Sequence, residues 1–141
     1  TAEIATHFDW VHSVDRVKIA NRLSQQRPES SPPLNICVQI NLSEEDTKSG
    51  VALLDTLELC KQIAALPRLR LRGLMAIPAP CADTLQQREV FHPLTLLLEE
   101  LRVNFPDMDT LSIGMSADYQ AAIAEGSTIV RVGSAIFGAR V

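Results

Sequence analysis

The chain has 141 residues, a formal net charge of −4, 46% hydrophobic and 21% charged residues, which describes one globular domain rather than a disordered or fibrous protein. An acidic balance with 4% aromatic residues gives neither the basic footprint nor the stacking platforms of a nucleic-acid binder. No apolar run approaches the roughly 20 residues of a membrane helix, and TAEIATHFDW at the start lacks the regions of a signal peptide, so no membrane partner and a cytoplasmic location are expected.

The segments alternate between short apolar runs and amphipathic stretches, the pattern of repeated β/α units around a parallel sheet. Five units are legible. The first strand is WVHSV at 10–14, followed by Asp15 as helix cap and a helix through about Gln26 with Ile19, Ala20 and Leu23 on its apolar face. RPESSPP at 27–33 is a loop, and LNICVQIN at 34–41 is a nearly continuous apolar strand, as a doubly covered parallel strand requires. A helix over 51–66 sets Leu53, Leu57, Cys60 and Ala64 on one face and stops at Pro67.

The third strand is LRGLMAI at 71–77, closed by the rigid turn PAP. A long helical pattern then runs to Phe105 through Val90, Leu94, Leu97 and Leu101, with Pro93 marking either a kink or a fresh start, so 82–92 stay open. TLSIG at 110–114 and TIVRV at 128–132 are the last two strands. Between them Ser116 is the expected N-cap and Gly126 the stop of a short helix over 118–125.

Two corners carry candidate chemistry. Helix N-termini bind anions because their first N–H groups lack partners. GMSAD at 114–118 supplies one such corner with the Ser116 hydroxyl, and VGSAIFG at 132–138 supplies another through Gly133 and Ser134. Serine and glycine also simply turn chains at strand ends, but two corners in consecutive units match the phosphate position of β/α barrels. Arg131 interrupts an apolar strand; a buried guanidinium needs a partner, and near the strand's C-terminal end it points toward the barrel mouth.

GLMAIPAP, QINLSEEDTKSG and LSIGMSADYQAAIAEGSTIVRVGSAIFGAR closely resemble the pyridoxal phosphate (PLP) homeostasis protein family, PLP-binding barrels built like the N-terminal domain of alanine racemase. The resemblance implies an α/β fold, a PLP-binding (β/α)8 TIM-type barrel of which this chain holds about the last five β/α units. Residues 1–141 would then be the C-terminal portion of one barrel domain. It further implies PLP as cofactor, Ser116, Gly133 and Ser134 as the phosphate cradle, Arg131 facing the pyridine nitrogen and Met75 near the ring. The implied function is a non-catalytic carrier that limits free PLP and hands it to recipient enzymes.

The family's Schiff-base lysine lies in an SKT-like segment of the first barrel strand, and that segment is absent from this sequence. The missing N-terminal segment is therefore an expected partner. Of Lys18, Lys48 and Lys61, Lys48 alone falls in a loop at a strand's C-terminal end, among Glu44, Glu45 and Asp46, where a solvated charge is the simpler reading. The competing functions are a PLP-dependent amino-acid racemase-like enzyme and a barrel for another phosphorylated metabolite. Tyr119, the one tyrosine, sits in a helix's first turn, where packing fits better than proton transfer.

Cys37, Cys60 and Cys81 are odd in number and widely spaced, and His7, His12 and His92 are scattered. Neither a disulfide framework nor a metal site is expected.

Overall fold

In a computed structural model that describes residues 2–42 and 49–133, five parallel strands lie side by side in chain order. They are β1 (Trp10–Val14), β2 (Leu34–Gln39), β3 (Leu69–Met75), β4 (Thr110–Met115) and β5 (Ile129–Arg131). The helices are α1 (Ala2–His7), α2 (Val17–Gln26), α3 (Thr56–Ala64), α4 (Thr84–Asn104) and α5 (Tyr119–Ala124), with a 3-10 turn over Leu53–Asp55. This is the arrangement of consecutive β/α units that the apolar alternation predicts.

The core lies between the helices and one face of the sheet. Ile36, Val38 and Ile40, Leu74 and Ala76, and Leu111 and Ile113 meet Leu23, Ile63, Phe91, Leu94 and Ala122 from the helices. Residues alternate across a strand, so Asn35, Cys37, Met75 and Ser112 fall on the opposite, inner face. Gly73 is required by packing, because a Cβ there would overlap the Thr110 carbonyl.

Several local expectations change. Asp15 does not cap α2: Arg16 occupies the cap position without a side-chain bond, and Asp15 Oδ2 instead accepts from the Gly50 N–H at 3.0 Å. The helix expected over 51–66 starts at Thr56, and it buries Thr56, Leu59, Cys60 and Ile63 while Leu53 and Leu57 are exposed. α4 runs unbroken through Pro93 from Asp83, whose side chain accepts from Leu85 N–H. It buries Phe91 and Leu98 where Val90 and Leu97 were expected to lead.

Arg27, in the expected loop, is 4% exposed. Its guanidinium donates to the carbonyls of Ala5 (3.0 Å), Phe8 (2.7 Å) and Pro32 (2.9 Å), joining α1, the approach to β1 and the 28–33 loop. No helix among the described residues is long and apolar enough to cross a membrane.

Candidate functional site

The C-terminal ends of β3, β4 and β5 gather most of the residues singled out in the sequence. A Cβ on Gly114 would meet both Ala122 of α5 and Val130 Cγ1, so Val130 faces the helices and Arg131 faces inward. The Arg131 guanidinium donates from Nη2 to the Ala76 carbonyl at 3.1 Å. Its Nε is buried and has no hydrogen-bond partner among the described residues. Burial makes its charged form costlier and lowers its pKa, against the opposing pull of Asp118 and Cys37. A buried donor without a partner is expensive, so this corner favours a ligand that brings an acceptor.

Met75 directly precedes the carbonyl that holds Arg131. It is 5% exposed and pairs with Gln39 on one side and Ser112 on the other. Ser116 follows Met115, the residue in register with Arg131. It lies in a turn closed by Met115 N–H to Asp118 Oδ1 at 2.7 Å and by Asp118 N–H to the Met115 carbonyl at 3.1 Å. Ser116 is not the N-cap. That position is Asp118, and α5 begins at Tyr119; the Asp118 carboxylate makes no cap bond because it closes the turn behind it. Gly126 has φ +97° directly after the end of α5, as its expected role as a stop requires.

Gly133 is exposed, and a Cβ there would meet nothing within 4 Å, so packing among the described residues does not require glycine at this position. Ser134 and Lys48 lie outside the described residues. The structure thus brings Met75, Ser116, Arg131 and Gly133 to the same end of the sheet.

The sequence reading missed several residues that shape this region. Gln87, 8% exposed, donates from Nε2 to the carbonyls of Cys81 and, at 3.3 Å, Ala117, tying α4 to the turn that carries Ser116. Both Gln87 and Ser116 line a cavity of about 280 Å³ with Thr84, Asp118 and Tyr119. His12 of β1 and Ser112 of β4 share a hydrogen bond of 2.9 Å. A polar residue inside a core strand is the signal that singled out Arg131, and it applies equally to His12 in WVHSV and Ser112 in TLSIG.

The other end of the inner face is held by Arg72. It donates to Asp109 at 3.1 and 2.7 Å and to Asn35 at 3.1 Å, with its guanidinium carbon 4.7 Å from the Trp10 ring centroid. That bond holds the Asp109 carboxyl below its ordinary pKa. Cys37 between the two ends is buried, and burial pushes its thiol up to about 12, so it is an inert thiol. No disulfide and no group of three metal-ligating side chains occurs among the described residues.

Five consecutive parallel β/α units with inward polar residues at the strand ends are a section of a β/α barrel, and the alanine racemase N-terminal domain model matches residues 1–141. The chain belongs to that family. Within it, the chain is 55% identical over 137 residues to the pyridoxal phosphate homeostasis protein of Escherichia coli strain K12, covering 97% of this chain and 58% of that protein. It is 56% identical over 140 residues to the protein of the same name from Pseudomonas aeruginosa, covering 99% and 60%. PipY of Synechococcus elongatus, solved with PLP bound, superposes with a TM-score of 0.86 at 32% identity, covering 97% of this chain and 64% of that one. The chain therefore spans about three fifths of the length of these relatives.

Proposed function

We propose that this chain forms the phosphate and ring-nitrogen side of a PLP site in a cytoplasmic protein that stores and hands over the cofactor. The observation that carries this reading is the buried, partnerless Arg131 Nε beside Met75 and Ala76. It fits a ligand whose ring presents an acceptor. The likeness to proteins named for PLP homeostasis and to a PLP-bound structure supports the same choice of ligand.

In this reading the Ser116 hydroxyl and the backbone N–H groups at Gly133 and Ser134 hold the phosphate, and Met75 packs against the ring. Arg131 donates to the pyridine nitrogen. Guanidinium has no acceptor and stays charged, so the nitrogen it faces remains unprotonated. PLP supplies a carbonyl that reacts with amines, but an unprotonated ring withdraws electrons poorly. The arrangement therefore suits retention and transfer better than racemisation, and strong steady turnover of amino acids would contradict it.

We further propose that residues 1–141 are the C-terminal portion of one barrel domain, completed by a segment that supplies the lysine for the cofactor aldehyde. Support comes from β1 standing at the edge of the described sheet and from Ile77 and Met115, 52% and 43% exposed at the ends of β3 and β4. The test is intact-mass measurement after adding PLP and borohydride to this chain together with its completing segment. The expected result is a single adduct on the completing segment; a stoichiometric adduct on this chain would overturn the assignment and make Lys48 the first residue to check.

A further inference from the structure

His12 and Ser112 belong to strands that are not neighbours. β2 and β3 lie between them, yet Nδ1 and Oγ are 2.9 Å apart, so the bond crosses the concave inner face rather than running along a ladder. Ser112 pairs with Ile129 of β5, two residues before Arg131, so the bond and the guanidinium share the inner face. Ser112 is fully buried, and its partner across β3 is Met75. The brace therefore touches the wall of the site from below.

The charges around it come from every neighbouring strand. Arg131 of β5 acts on both His12 and Cys37. Arg72 of β3 and Asp109 act on Cys37 from the far end, and Asp118 acts on Arg131. For His12, burial and the Arg131 charge both favour the neutral imidazole. A neutral ring costs nothing beside a guanidinium, whereas a protonated one sets two like charges on the same inner face.

We propose that His12, held by Ser112, is a positioning residue for Arg131: its neutral imidazole lets the guanidinium rest against the Ala76 carbonyl, and protonation drives Arg131 out of that place. The consequence, which rests on the PLP reading, is a site that releases its ring ligand as the medium acidifies. His12 touches no ligand in this scheme. It acts through Arg131.

Two measurements separate the inference from the reading beneath it. The first is an NMR titration of the histidine resonances, assigned by His12→Gln, in the wild type and in Arg131→Gln. His12 should titrate below the ordinary imidazole value, and its midpoint should rise when the guanidinium is removed. No movement would overturn the inference whatever the ligand is.

The second is PLP retention by the completed barrel between pH 7 and 5. Wild type should lose about tenfold more affinity than His12→Gln, which keeps a hydrogen-bond partner for Ser112 without a titrating ring; PLP's own titration is common to both. Equal losses would overturn the inference. Absence of PLP binding at every pH, with the NMR coupling intact, would overturn the PLP reading and leave the His12–Arg131 coupling supported.

Discussion

Arg131, Arg72 and Arg27 show three ways of keeping a guanidinium inside a small α/β protein. Arg27 donates to three carbonyls from Nε and Nη1, so removing it leaves buried acceptors bare. Arg27→Ala should cost about 2–4 kcal/mol in urea denaturation, and Arg27→Lys should recover less than half, since an ammonium cannot reproduce the fork. Arg72 faces a half-exposed Asp109, so Arg72→Ala should cost less, about 1–2 kcal/mol after screening.

The titrations add a direction. His12 has its pKa lowered on folding, so the unfolded chain binds more protons and stability should fall as pH drops below about 6.5. Asp109 is also lowered, and its contribution should disappear at more acidic pH, as the medium passes below its ordinary value toward the depressed one. Denaturation midpoints in wild type and His12→Gln separate the two steps; a wild-type curve flat between pH 7 and 5 would contradict the first. Arg131 was legible because a charge stood inside an apolar strand, whereas Arg27 was not, because a loop arginine looks the same whether solvated or buried.

At the scale of elements, the strands were the most legible part. WVHSV is β1 to the residue, and the other four differ from expectation by one or two residues at their ends. Helix faces were less legible. Residues 53–64 contain two rows at three- or four-residue spacing, and contact with β3 and α2 buries the row through Thr56, Leu59 and Ile63. Asp15 escaped local reasoning because its partner, Gly50, is 35 positions away.

The β3–β4 contact yields a sharp prediction. Gly73→Ala places a methyl on the Thr110 carbonyl and should destabilise by about 3 kcal/mol or prevent folding, read by circular dichroism and thermal melting; a wild-type melt would contradict the assigned pairing. Gln87→Leu removes the donor that holds the Ala117 carbonyl. Exchange of the amides in the 115–118 turn should accelerate while the rest of β4 stays protected.

For the whole molecule, the sheet itself sets the expectation. An open parallel sheet leaves edge strands and an inner face that the remainder of a closed barrel covers. This chain should self-associate on its own and become a defined one-to-one species when the completing segment is added, as light scattering would report. A stable monomer by itself would show that the inner face needs no cover. The repeated β/α units were legible from the apolar alternation, and the placement of Ser116 and Arg131 at the ends of β4 and β5 from GMSAD and TIVRV; the brace across the inner face was not, since it depends on curvature that brings β1 to β4.

The most direct test of the central claim is an equilibrium PLP titration of the completed barrel, comparing wild type with Ser116→Ala and Arg131→Gln. The account predicts at least about tenfold weaker binding for each, roughly 1.4 kcal/mol, with folding unchanged. Wild-type affinity in both variants would contradict it, because the phosphate and the ring nitrogen would then be held elsewhere.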